Sequence, residues 1–244
     1  MGQSMRAIDD NLQAVRARIA RAAAAAGRAP RSVTLLAVSK THPVALIEQA
    51  LAAGQRAFGE NYVQEALEKM DALAGRLGEQ RARALEWHLV GPLQSNKTRA
   101  VAARFDWVQT VESERIARRL AEQRPAALAP LKVLIQVNVS GEASKSGVAP
   151  RAVAALAAAL ASLPGLKLRG LMAIPEPTRD AALQRSRFAE MRQLLEQLQQ
   201  RHPDLDTLSM GMSDDLGAAI AEGATMVRIG TAIFGARQTI RPAA

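Results

Sequence analysis

No cysteine occurs in the 244 residues, which excludes disulfides, thiolate nucleophiles and cysteine-ligated zinc. Histidine is scarce: His42, His88 and His202 stand far apart with no HExxH-type spacing, so metal chemistry is not expected. Aromatic residues make up only 3%, too few for the stacking platforms that hold single-stranded nucleic acid, and no nucleic-acid-binding motif is present. No stretch approaches the roughly 18 consecutive apolar residues of a membrane span. The N-terminus carries acids and arginines where a secretory signal has its apolar core, and Arg6 stands where a myristoylation pattern needs Ser or Thr. A soluble, cytoplasmic protein with no targeting peptide is expected.

What is abundant is arginine. Of 32 basic residues only 6 are lysine, and the arginines are spread along most of the chain. The net charge of +9 therefore reads as a solvated, Arg-rich surface with some attraction for anions, and neither nucleic acid nor a membrane is an expected partner. At 48% apolar residues the chain has material for a sizeable core, and its length suits one large domain or two small ones.

Residues 4–26 carry helical periodicity through Ile8, Leu12, Val15 and Ile19, and Gly27 stops the helix. After it, short apolar strands and helical segments alternate eight times, from VTLLAVSK and VALIEQALAAG to TMVRIG and TAIFGARQ. Alternation implies parallel βαβ units, and eight of them with no linker-like stretch favour a closed barrel over an open sheet. The expected fold is α/β: one (β/α)8 TIM barrel over about 32–237 with an extra N-terminal helix, the whole of 1–244 forming a single domain. Chemistry in such a barrel lies just after the strands.

Three places there attract attention. VTLLAVSKTHP delivers Lys40 to the end of the first strand, where desolvation can favour the neutral amine and make it a Schiff-base nucleophile; a lysine with its head in water is the plainer reading. After strands seven and eight, SMGMSDD and RIGTAIFGA place Gly211 and Gly230 where a ligand could approach the backbone, with hydroxyls from Ser209, Ser213 and Thr231. Turn glycines and helix caps would explain either loop alone. Arg228, inside the apolar strand MVRIG, needs either a buried acid or a bound ligand as its partner.

A reactive lysine after strand one and a phosphate cradle after strands seven and eight describe a pyridoxal phosphate site. AVSKTHP, FGENYVQE, WHLVGPLQSNK, VNVSGEASKSG, GLMAIPE and LSMGMSDDLGAAIAEGATMVRIGTAIFGAR, spread from about Ser32 to Arg237, resemble the pyridoxal phosphate homeostasis protein family. The resemblance implies a barrel similar to the N-terminal domain of alanine racemase, with pyridoxal 5'-phosphate held as a Schiff base on Lys40. It implies further that Ser213 and the backbone at Gly230 and Thr231 hold phosphate, that Arg228 faces the pyridine nitrogen, and that Asn61 lies beside the ring or its hydroxyl. Ser209 is a second phosphate-side candidate that the sequence does not rank against Ser213. Ser213 and Arg228 stand 15 positions apart, as their counterparts do in the related racemases.

The departures from the racemase pattern bear on activity. Racemases take a second base, a tyrosine, from a separate C-terminal β-domain; the only tyrosine here is Tyr62, and Val44 and Ile174 stand where racemases have a tyrosine and a histidine. The function expected is storage, buffering or delivery of the cofactor with little or no turnover, apo pyridoxal phosphate-dependent enzymes being possible acceptors and the protein a monomer. The alternative is a weak single-base racemase or lyase. His88 reads as a hydrogen-bonded histidine at a strand end, Glu60, Asp214 and Asp215 as helix caps or partners of arginines, and Gln94–Lys97 and Lys145 are left without an assigned role.

Overall fold

The computed structural model describes residues 2–142 and 145–236; the expected barrel end at Arg237 and the SGEASKSG residues Ala143 and Ser144 lie outside them. Helix α1, Gly2–Ala25, comes first. Then follow β1 (Thr34–Val38), α2 (Val44–Ala52), β2 (Ala57–Glu60), α3 (Val63–Leu77), α4 (Glu79–Ala82) and β3 (Glu86–Leu89). The chain continues with α5 (Thr98–Arg104), β4 (Trp107–Val111), α6 (Glu114–Gln123), β5 (Leu131–Val137), α7 (Val153–Ala161) and β6 (Leu166–Ala173). It ends in α8 (Ala181–Gln199), β7 (Thr207–Ser209), α9 (Leu216–Ala221), β8 (Met226–Ile229) and α10 (Thr231–Phe234).

The eight strands pair in chain order and close into one parallel barrel, with β1 beside β8 in a register that sets Leu36 opposite Arg228. Each expected strand is present and shorter than its expected segment; β1, for example, ends at Val38, before Ser39 and Lys40. Helix α4 is additional: Gly78, at φ 78°, breaks α3 and the chain winds one more turn before β3. The main core fills the space between sheet and helices, where Phe58, Ile135 and Phe188 are buried, as parallel strands require. Ile8, Leu12, Val15, Ile19 and Ala23 bury one stripe of α1, which packs against α2, α9 and α10.

The barrel interior is a separate compartment. Leu36, Val90 and Met226 form one small apolar cluster and Trp107, Leu134 and Met172 another. His88, Gln109, Ser209 and Arg228 are buried with them, a polar content that matters below.

Candidate functional site

The C-terminal ends of the strands surround a cavity of ≈ 640 Å³. Lys40, Asn61, Ser213, Arg228, Gly230 and Thr231 all line it. Residues separated by up to 191 positions thus share one wall because the barrel seam sets β1 against β8.

The lysine loop is fixed from behind. Ser39 Oγ donates to Glu60 Oε1 at 2.7 Å, and Lys69 Nζ, from α3, reaches both Ser39 O and Glu60 Oε1 at 2.7 Å. Glu65 Oε1 takes the Thr41 N–H at 2.6 Å and pairs with Lys69 at 2.7 Å. Both neighbours of Lys40 are therefore tied to one buried ionic cluster. Thr41 has φ 64°, the only non-glycine in the left-handed region among the described residues, a conformation costing a β-branched residue roughly 1–3 kcal/mol. Burial pushes the Glu60 carboxyl up, against the pull of Lys69 and Ser39. Glu60 thus pairs with a lysine, not with the expected arginine or helix end.

Opposite the lysine, the loop after β7 runs from Gly211 to Asp215. Arg18 Nη2, from α1, donates to Ser213 O at 2.8 Å, and Asp215 Oδ1 accepts the Met212 N–H at 2.6 Å, so this acid closes its own loop instead of capping α9. Burial raises the Asp215 carboxyl. Gly230 and Thr231 open α10, where Gly230 O already accepts the Ile233 and Phe234 N–H groups at 2.9 and 3.0 Å, leaving the Thr231 and Ala232 N–H groups outside the helix's own bonding.

Arg228 is 5% exposed, and among the described residues no carboxylate stands within ion-pair distance of it. Its Nη1 donates to Ser209 Oγ and its Nη2 to Ala173 O, both at 2.8 Å. Burial lowers the guanidinium to about 10, with Asp215 opposing, so it is charged at neutral pH. Ser209, wholly buried, is absent from the cavity lining and lies under Arg228. Asn61 is held by a close approach: a Cβ on Gly91 would stand 2.2 Å from Asn61 O, so only glycine lets β3 pass there.

Several wall residues carried no sequence signal. His42 is buried on the ring of Phe234, 5.2 Å between centroids, and Arg18 arrives from a helix far away in sequence. The Gln94–Lys97 turn lies outside the cavity and is held by its neighbours, Ser95 O accepting from Thr98 Oγ1 and Arg119 Nε. Lys145 pairs with Glu142 at 3.2 Å, also outside the lining. His88 is hydrogen-bonded, as expected, but deep inside the barrel.

An amine, hydroxyls, the backbone at Thr231 and Ala232 and a buried donor-only guanidinium around one cavity fit a flat, anionic, aldehyde-bearing ligand such as pyridoxal phosphate. Residues 10–238 match the family model of the alanine racemase N-terminal domain, and the closed barrel with its lysine after β1 has that architecture. A protein of Pseudomonas aeruginosa named pyridoxal phosphate homeostasis protein is 59% identical over 239 residues, 98% of this chain and 100% of that one. PipY of Synechococcus elongatus PCC7942, solved without PLP, is 40% identical with a TM-score of 0.82, over 93% of this chain and all of that one. The same protein with PLP bound matches at 39% identity and a TM-score of 0.79, over the same shares. The chain belongs to the pyridoxal phosphate homeostasis protein family.

Proposed function

We propose that this chain binds pyridoxal phosphate covalently through Lys40 and stores, buffers or delivers it within the cytoplasm, with little or no turnover. The observation that carries the reading is the convergence of Lys40, Ser213, Gly230, Thr231 and Arg228 on one cavity. When bound, the cofactor supplies an electron-withdrawing ring that can stabilise a carbanion on an attached amino acid. Ser213 and Thr231, with the N–H groups opening α10, hold the phosphate. Arg228, which only donates, faces the ring nitrogen and keeps it unprotonated, and that restrains carbanion chemistry. Asn61 flanks the ring, while Ser209 supports Arg228 from below. A closed barrel leaves no sheet edge that calls for a partner strand, so the carrier is a monomer, and apo pyridoxal phosphate-dependent enzymes are its acceptors.

His42 on the cavity wall favours one other reading, slow racemisation or lysis with Lys40 as base and an imidazole nearby. Tyr62 does not line the cavity, which weighs against efficient two-base racemisation. The test is proton exchange at the α-carbon of L- and D-alanine in heavy water, with loaded protein and Lys40→Ala as control. The carrier shows no exchange above free cofactor, whereas lysine-dependent exchange on the order of 1 s⁻¹ or faster would make the protein an enzyme. Lys40→Ala must also lose the visible absorption of lysine-bound cofactor; if that absorption persists, another lysine is used.

A further inference from the structure

Arg228 ends a hydrogen-bonded chain that runs down the inside of the barrel. Its Nη1 donates to Ser209 Oγ at 2.8 Å, Ser209 Oγ donates to Gln109 Oε1 at 2.7 Å, and Gln109 Nε2 lies 2.9 Å from His88 Nδ1. His88 Nε2 in turn lies 3.4 Å from Glu86 Oε1, at the opposite, N-terminal mouth of the barrel. Gln109, His88 and Ser209 are at most 1% exposed.

One assignment of protons gives every donor from Arg228 to Gln109 an acceptor. A guanidinium has no acceptor, so Ser209 accepts from Arg228 and gives its single proton to Gln109. The Gln109 atom facing Ser209 is then the carbonyl oxygen, and the amide nitrogen faces His88 and Met226 Sδ. His88 Nδ1 must accept, which makes the imidazole neutral with its proton on Nε2, a buried atom that makes no hydrogen bond and lies 3.4 Å from Glu86 Oε1. Asp106 and Lys132 are the other charged groups near this ring, and Trp107 stacks on it at 5.2 Å. Gln109 sits where β4 gains one residue on β5, between Val108↔Val133 and Val111↔Ile135, an irregularity of the kind that re-aims a side chain.

We propose that Gln109 is the positioning residue for Arg228: by fixing the Ser209 hydroxyl as an acceptor, it sets the guanidinium at the cavity floor against the cofactor's ring nitrogen. The ring-nitrogen part rests on the function proposed above; the anchoring does not. Leucine at 109 fills the space but leaves Ser209 without an acceptor and His88 Nδ1 without a donor. Glutamate, protonated or not, still accepts from Ser209 and so keeps Arg228 anchored.

The apo protein tests the anchoring by ¹⁵N NMR of labelled histidine. His88 must show the neutral, Nε2-protonated tautomer, and an Nδ1-protonated ring in the wild type overturns the assignment. In the loaded protein Gln109→Leu is expected to weaken pyridoxal phosphate binding about tenfold, the effect of misplacing a hydrogen bond to a charged group. The same variant moves the signal of ¹⁵N-labelled cofactor nitrogen towards its protonated position, while Gln109→Glu leaves both within about twofold of wild type. Equal weakening by both variants, or wild-type affinity and nitrogen signal in a folded Gln109→Leu, refutes the proposal. Should Gln109→Leu fail to fold, the tautomer and Gln109→Glu still decide it. Wild-type protein that takes up no cofactor defeats the functional reading alone, because the tautomer is read without ligand.

Discussion

Lys69 shows how far a single residue's role can depart from its local appearance. In sequence it is one basic residue of an amphipathic helix, four positions after Glu65, a spacing that reads as an exposed ion pair. In the structure it is 5% exposed and bridges Glu60, Glu65 and the carbonyl of Ser39. Nothing short of packing α3 on the ends of β1 and β2 reveals this, whereas Lys40 could be singled out because a strand's end is visible in its own residues. Removing one member of a buried pair leaves the others uncompensated, which typically costs about 3–5 kcal/mol. Lys69→Met should therefore lower unfolding free energy by about 3 kcal/mol in urea titrations and loosen the Lys40 loop, with slower cofactor uptake. Lys69→Met combined with Glu60→Gln should recover much of the loss, since the cation and a carboxylate then go together. A double variant no better than the single one would show that the cluster is not the coupled unit described.

At the scale of elements, the alternation of apolar runs and helical periodicity was enough for eight strands and their helices, because the period of a pattern is local. Connections were less legible: α4 depends on where Gly78 lets the chain turn, and the turn at Gln94–Lys97 on a neighbouring arginine. So too with the site. The loops after β1, β2, β7 and β8 announced their residues, but Arg18 and His42 acquire their places only once α1 and α10 have packed beside the mouth. Gly91 is the clearest case of an element junction, for there the end of β3 passes the backbone of the loop after β2. Gly91→Ala puts a methyl group 2.2 Å from Asn61 O, and backbone, not a flexible side chain, must move. Such overpacking costs about 1–3 kcal/mol, so the melting temperature should fall by a few degrees and cofactor affinity with it as Asn61 shifts. Unchanged affinity in a destabilised Gly91→Ala would remove Asn61 from the binding surface.

Across the whole molecule, the two mouths of the barrel divide the work. The C-terminal mouth holds the larger of two cavities and a strained Thr41; the N-terminal mouth is lined by Glu86, Trp107, Lys132 and Arg169, in which every charge has a partner. Lys132 and Arg169 lie over the Trp107 ring at 5.0 and 5.3 Å, and the Trp107 indole N–H donates to Glu86. His88 above all, then Trp107 and Lys132, hold the Glu86 carboxyl down at about 2, while burial lowers His88. Both shifts have the same sign for stability: between the ordinary and the lowered value the unfolded chain binds the proton and the native one does not, so stability rises as pH rises and is lost as pH falls. Glu60, Asp106 and Asp215, each raised by burial, act in the opposite sense, so the wild-type curve alone is a sum. The difference from Glu86→Gln isolates one group. The wild type's advantage should be full above the ordinary glutamate value of 4.5 and fade as pH falls towards 2. With the side chain 39% exposed, solvent screening reduces the expected change to about 1 kcal/mol, measurable by urea unfolding at successive pH values. A difference that stays flat from pH 5 to 3 would mean that the lower mouth does not hold the Glu86 charge.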